Sequence, residues 1–192
     1  SGDMRKGYST PTIVKVGDSV QMISNSAKAA WSYDPDTGEE IWHVNYPTHS
    51  PSSRTVVDEA GGIAYVNTGL GKAEVWAVRL DSEAKGDITE SHVLWKMLKR
   101  TPKRSSPVLV DGLFFMANDG VASCLDAKTG EVIWMERAGK DYSSSILHAN
   151  GYLYLCDEEG TCTVLKAGRE FEKVAENHLD SGMMASPAAS GN

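Results

Sequence analysis

Three cysteines, five histidines and two short charged runs are the residues of this 192-residue chain with the chemistry to build a site. Cys156 and Cys162 flank "DEEGT", a hairpin turn by composition. On facing strands their Cβ atoms come within disulfide reach; otherwise they are two free, half-buried thiols. A bridge would place the chain in an oxidising compartment. Cys124 stands alone. His43, His49, His92, His148 and His178 show no His-x-x-x-His spacing, so no metal site is expected from them. The carboxylates of "DPDTGEE" invite calcium, but the run lacks the ligand spacing of a calcium loop. "NTGLGK" holds Gly-x-Gly with no helix after it to receive a phosphate, and reads as a loop. No Gly-x-Ser-x-Gly nucleophile elbow occurs. The second charged run is "WKMLKRTPKR", where Lys96, Lys99, Arg100, Lys103 and Arg104 crowd together. It is either a solvated connection or a docking patch for an acidic partner or polymer.

The elements that would position these groups are short and β-rich. "TIVKV", "SVQMI", "GIAYVNT", "EVWAVRL", "PVLVDGLFFMA", "GYLYLC" and "TCTVL" alternate or run apolar over strand lengths. Between them lie "VGD", "DTG", "AGG", "VDG", "NDG", "KTG", "ANG" and "EEG", each a turn signal. The chain is therefore expected to be all-β. A net charge of -7 argues against general nucleic-acid binding, which needs a basic surface. No apolar run approaches the ~20 residues of a membrane span. The opening "SGDMRKGYSTP" has no apolar stretch of a targeting segment, so such a segment would precede this sequence.

A period emerges from two independent markers. Thr10-Pro11, Arg54-Thr55, Ser106-Pro107, Ser145-Ile146 and Ser186-Pro187 open successive units at spacings of 44, 52, 39 and 41. Trp42, Trp95, Trp134 and Phe171 close them at 53, 39 and 37. "DSEAKGDITESH" lengthens the second unit. A unit of about forty residues has room for four strands, which is a propeller blade. In the third unit the strands are expected near 107–110, 113–117, 121–125 and 132–137. The blades fall at about 8–48, 52–100, 105–139 and 142–180 within a single partial domain, 1–192. A truncated fifth opens at about 183–192.

Two near copies of one phrase, "DPDTGEEIW" from Asp34 and "DAKTGEVIW" from Asp126, share Asp-x-x-Thr-Gly-Glu-x-Ile-Trp. The phrase resembles the tryptophan-docking motif of the pyroloquinoline-quinone-type, or pyrroloquinoline quinone (quinoprotein-like) repeat, β-propellers. The likeness extends over nearly the whole chain. It weakens at "LKAGREF" in the fourth unit and at the stretched second. The residue types explain the phrase physically. Asp34 and Asp126 accept backbone N–H bonds that shape the turn, Thr37 and Thr129 cap it, and Gly38 and Gly130 supply positive φ. Trp42, Trp134 and Trp95 follow as inter-blade wedges.

The resemblance carries further expectations. Family rings have about seven or eight blades, so four blades and an opened fifth imply either further blades of a longer chain or a second copy completing an eight-bladed ring. Blade-opening residues would ring a channel mouth: Thr10, Ser53, Arg54, Ser106, Ser145 and Ser186. Either they satisfy backbone groups or they line a shallow polar pocket for an anionic or sugar-like ligand. The family's dehydrogenases place an adjacent cysteine pair and calcium ligands beside their quinone. This chain has no adjacent cysteines, so the resemblance implies a cofactor-free, non-catalytic scaffold or interaction module. It would sit with the family's outer-membrane assembly propellers and other exported bacterial proteins, periplasmic or otherwise extracytoplasmic. The alternative is a dehydrogenase for an alcohol or sugar that uses pyrroloquinoline quinone with calcium.

Overall fold

The computed structural model describes residues 6–190; residues 1–5, and Gly191 and Asn192 of the expected fifth unit, lie outside the described residues. Strands follow one another in chain order as β1 (Thr12–Val16), β2 (Ser19–Asn25), β3 (Ala29–Tyr33), β4 (Glu40–Asn45), β5 (Val56–Asp58), β6 (Ile63–Asn67), β7 (Val75–Arg79), β8 (Gly86–Asp87) and β9 (Val93–Met97). They continue as β10 (Val108–Val110), β11 (Leu113–Asn118), β12 (Val121–Asp126), β13 (Val132–Arg137), β14 (Leu147–Ala149), β15 (Tyr152–Cys156), β16 (Thr161–Lys166) and β17 (Lys173–His178). Among the described residues there is no helix. The four strands of the third unit lie within one residue of the positions expected from its pattern.

Each unit of the repeat folds into one antiparallel meander: β1-β2-β3-β4, β5-β6-β7-β9, β10-β11-β12-β13 and β14-β15-β16-β17. The chain is a partial β-propeller of four such sheets. Tight turns join the strands, and the Gly and Asx punctuation sets their conformation. Asp111, Asp119 and Asn150 take positive φ beside Gly112, Gly120 and Gly151, the conformation of a primed hairpin turn. β6 and β11 are buried along their whole length, which is why "IAYVN" and "FFMAN" run apolar instead of alternating. β1 and β2 alternate, with every second residue packed into the core.

All four sheets break register at the same place. Consecutive third-strand residues, Ser32/Tyr33, Ala77/Val78, Cys124/Leu125 and Val164/Leu165, face fourth-strand residues two apart, so the extra residue is Ile41, Leu94, Ile133 or Val174 on the fourth strand. The extra residue bends that strand just after it leaves the turn.

One expectation is corrected. "DSEAKGDITESH" is more than a lengthened loop. Its β8 pairs in parallel with β4, Trp42 opposite Gly86 and His43 opposite Asp87, and gives the first sheet a fifth strand. The expected fifth unit contributes no strand among residues 183–190.

Contacts gather the chain into two compact units, Ser1–Lys103 and Arg104–Asn192. The core of the first joins Val14, Val16, Ile23, Trp42 and Val44 of one sheet to Ala64, Val66, Trp76 and Val78 of the next, with Ala84 and Ile88 from the β8 segment. The core of the second joins Leu113, Phe115, Cys124 and Trp134 to Leu153, Leu155 and Leu165.

Candidate functional site

The repeated phrase builds the same turn twice. Asp34 Oδ1 accepts N–H bonds from Asp36 and Thr37, both at 2.9 Å; Asp126 Oδ1 accepts from Lys128 at 3.1 Å and Thr129 at 3.0 Å. The Thr37 and Thr129 hydroxyls each take the amide two residues on, at Glu39 and Glu131. Gly38 and Gly130 stand at φ of 75° and 74° and close the loop onto the aspartate carbonyl. The backbone N–H donors, Thr37 first for Asp34 and Thr129 first for Asp126, hold both carboxyls below the usual carboxylate range. One oxygen of each aspartate, Oδ1, is thereby committed to its own turn.

The tryptophans after these turns are anchored differently. Trp42 is 0% exposed and gives its indole N–H to Gln21 Oε1, which also accepts from the Ser32 hydroxyl. Trp134 gives its N–H to Gly168 O in the next sheet at 3.0 Å and meets the Phe171 ring edge-on at 5.3 Å. Trp95 is half-buried with its ring 5.8 Å from Tyr65.

The blade-opening residues stitch neighbouring sheets. In the second unit Ser145 Oγ accepts from Ser106 N, and Ser186 Oγ accepts from Ser145 N. In the first, Ser9 and Thr12 donate to Ser53 O and Thr55 O. Thr10 and Arg54 are exposed, but Ser53, expected at a solvent-facing mouth, is 0% exposed, and its carbonyl accepts from Ser9 and Asn25.

Sequence reasoning missed a buried polar series. Asn25, Asn67, Asn118 and Asp157 each follow the second strand's apolar run, at spacings of 42, 51 and 39, and all are buried. Asn25 Nδ2 donates to Asn67 O while its Oδ1 accepts from Thr55, and Asn67 Nδ2 donates to Pro102 O. Asp157, 1% exposed, accepts from the amides of Lys140, Glu159 and Thr161. The signal was legible in "MISN", "AYVN", "FMAN" and "YLCD".

Two cations of the basic run are engaged by neighbouring side chains. Lys96 Nζ sits 3.7 Å over the Trp76 ring, and Arg104 pairs with Glu158 at 2.9 Å. The boundary between the compact units separates Arg104 from Lys96, Lys99, Arg100 and Lys103. A mixed-charge recess of about 270 Å³ is lined by Asp119, Arg137, Lys140, Asp141, Glu158 and Glu159.

Cys124 is fully buried, and burial pushes its thiol up to about 12. Cys156 and Cys162 are free thiols that face one another, Sγ to Sγ, at 2.7 Å. Among the described residues no three His, Cys, Asp or Glu side chains converge as a metal requires.

The chain matches the family described as outer membrane protein assembly factor BamB over residues 73–170. No curated protein matches it. BamB from Moraxella catarrhalis is a similar structure at 18% identity and a TM-score of 0.69, covering 96% of this chain and 52% of that one. The Saccharomyces cerevisiae Sqt1 structure is 10% identical with a TM-score of 0.72, covering 95% and 53%. The quinohemoprotein alcohol dehydrogenase ADHIIG from Pseudomonas putida HK5 is 14% identical with a TM-score of 0.65, covering 93% and 35%. The chain thus spans about half or less of the structures it resembles.

Proposed function

The chain belongs to the pyrroloquinoline quinone repeat family of β-propellers, that of the outer membrane protein assembly factor BamB, and from that premise we propose that it is a non-catalytic docking scaffold of an exported compartment. One observation carries the reading. The face of the first sheet turned away from its core carries apolar and aromatic side chains on three strands, with Lys15 and Ser24 among them. Ile13 pairs with Met22, Met22 with Tyr33, and Trp31 lies two residues from Tyr33 on the same face. Ile13 is 57% and Val20 47% exposed. A surface of this kind marks a protein-interaction site, and a pleated sheet face is shaped for another sheet.

The occupant is a further set of blades, supplied by a second copy of this chain. The polar groups that a ligand would use are engaged in turns and inter-sheet stitching, which favours scaffold over enzyme, with no cofactor in the scheme. Light scattering is expected to give a dimer mass, and Ile13→Lys to give a monomer. A wild-type monomer at tens of micromolar overturns the second copy as occupant. Dye reduction after incubation with pyrroloquinoline quinone, calcium and an alcohol or sugar would overturn the scaffold reading.

A further inference from the structure

Cys156 ends β15 and stands directly opposite Cys162 on β16. The next pair toward the turn, Asp157 and Thr161, is joined by an N–H···O bond from Asp157 N to Thr161 O at 2.8 Å. Pairs alternate along an antiparallel ladder, so Cys156 and Cys162 occupy the closer, non-hydrogen-bonded kind, with Cα atoms ~4.5 Å apart. That lies inside the disulfide window of ~4.4–6.8 Å. The two thiols are unlike. Cys156 is 4% exposed, whereas Cys162 is half-buried and reachable from solvent.

We propose that Cys156 and Cys162 form a built disulfide site, closed by exchange with a low-molecular-weight disulfide of the glutathione class, in which Cys162 attacks and Cys156 resolves. Cys162 loses its proton to water, and its thiolate attacks one sulfur of the external disulfide. The external S–S bond breaks, one small thiolate leaves and takes up a proton, and a mixed disulfide forms at Cys162. Cys156 then deprotonates and attacks Cys162 Sγ. The second small thiol leaves, and an intrachain S–S bond remains. Two protein thiols are oxidised and one external disulfide is reduced to two thiols. Burial first, and then the facing Cys162 thiol, hold Cys156 up to about 12. The second influence ends once Cys162 carries the adduct, while burial, the larger one, persists.

The bond would pin the hairpin where the second unit's polar contacts converge. Asp157 holds the Lys140 amide, Glu158 meets Ser143 and Arg104, and Gly160 O accepts from Leu179 N.

The test treats the native chain with oxidised glutathione, quenches with acid, unfolds it without reductant and alkylates with iodoacetamide. Reactive thiols are expected to fall from three, Cys124, Cys156 and Cys162, to Cys124 alone, with a mass loss of two hydrogens and no adduct. Cys156→Ser should accumulate glutathione on Cys162, while Cys162→Ser in its native state should gain none on Cys156. A lasting adduct on the wild type, or wild type left with all thiols where Cys156→Ser is modified, overturns the site. Adduct on Cys156 in Cys162→Ser overturns the assignment of roles. The wild-type mass decides the site should a variant not fold.

Discussion

Trp42 gives its indole N–H to the buried Gln21 Oε1 at 2.9 Å, wholly within its own sheet. The second copy of the phrase sends the Trp134 N–H to a carbonyl of the next sheet instead, at Gly168. Two near copies of one phrase therefore serve two anchoring schemes. Gln21 accepts from Ser32 as well, so its removal strands two buried donors. Gln21→Met is expected to cost about 2–4 kcal/mol, an unmade buried bond being worth about 1–3 kcal/mol each. Urea unfolding followed by tryptophan fluorescence measures it.

Trp134→Ala should cost about 3–5 kcal/mol, the range for large aromatic truncation in a core. Part of that loss belongs to the ring pair with Phe171. A double-mutant cycle of Trp134→Phe and Phe171→Leu should return a coupling of about 0.5–1.5 kcal/mol. Additive effects would show that the edge-on contact contributes nothing specific.

Acid should loosen the two repeated turns. The Asp34 and Asp126 carboxyls are held low by the turn amides. A depressed folded pKa contributes stability above the unfolded value near ~3.9, and that contribution is lost as pH falls through the lower folded value. The loss is thus expected below about pH 4. The Asp34→Asn, Asp126→Asn double variant should show a shallower drop in unfolding midpoint across pH 5 to pH 2, roughly, than the wild type.

Ile88 buries its side chain beside β8 at 2% exposure and gives its N–H to His43 O. Ile88→Ala should cost about 2–5 kcal/mol. Hydrogen exchange should rise at Ile88 and Asn45, whose amides bond across this seam. Unchanged protection there would mean the added strand holds without its apolar anchor.

The repeat was readable because its markers are chemically narrow. Only Gly suits the φ of Gly38 and Gly130 without strain, and a large flat ring suits the space Trp42 fills. Strand positions in the third unit followed from period-two patterning and turn residues. β8 was hidden because "KGDIT" offers only two residues to a ladder, and its partner β4 lies over forty residues away. Such a pairing has no local signal. The burial of Ser53 was equally silent, since a serine before an exposed arginine reads as surface. The Asn25–Asn67–Asn118–Asp157 series was overlooked for a different reason. Asn and Asp after a strand read as turn residues, and only three dimensions reveal that their side chains turn inward.

The strand lent by residues 86–87 has a consequence for modularity. Propeller repeats are ordinarily interchangeable parts, each carrying its own complete sheet. Here the first blade borrows its outermost strand from the second blade's insertion. Transplanting or duplicating residues 8–48 alone would leave Trp42 and His43 facing an empty seam. In this chain the first two blades are exchangeable only together, so recombination at the boundary near residue 50 is closed.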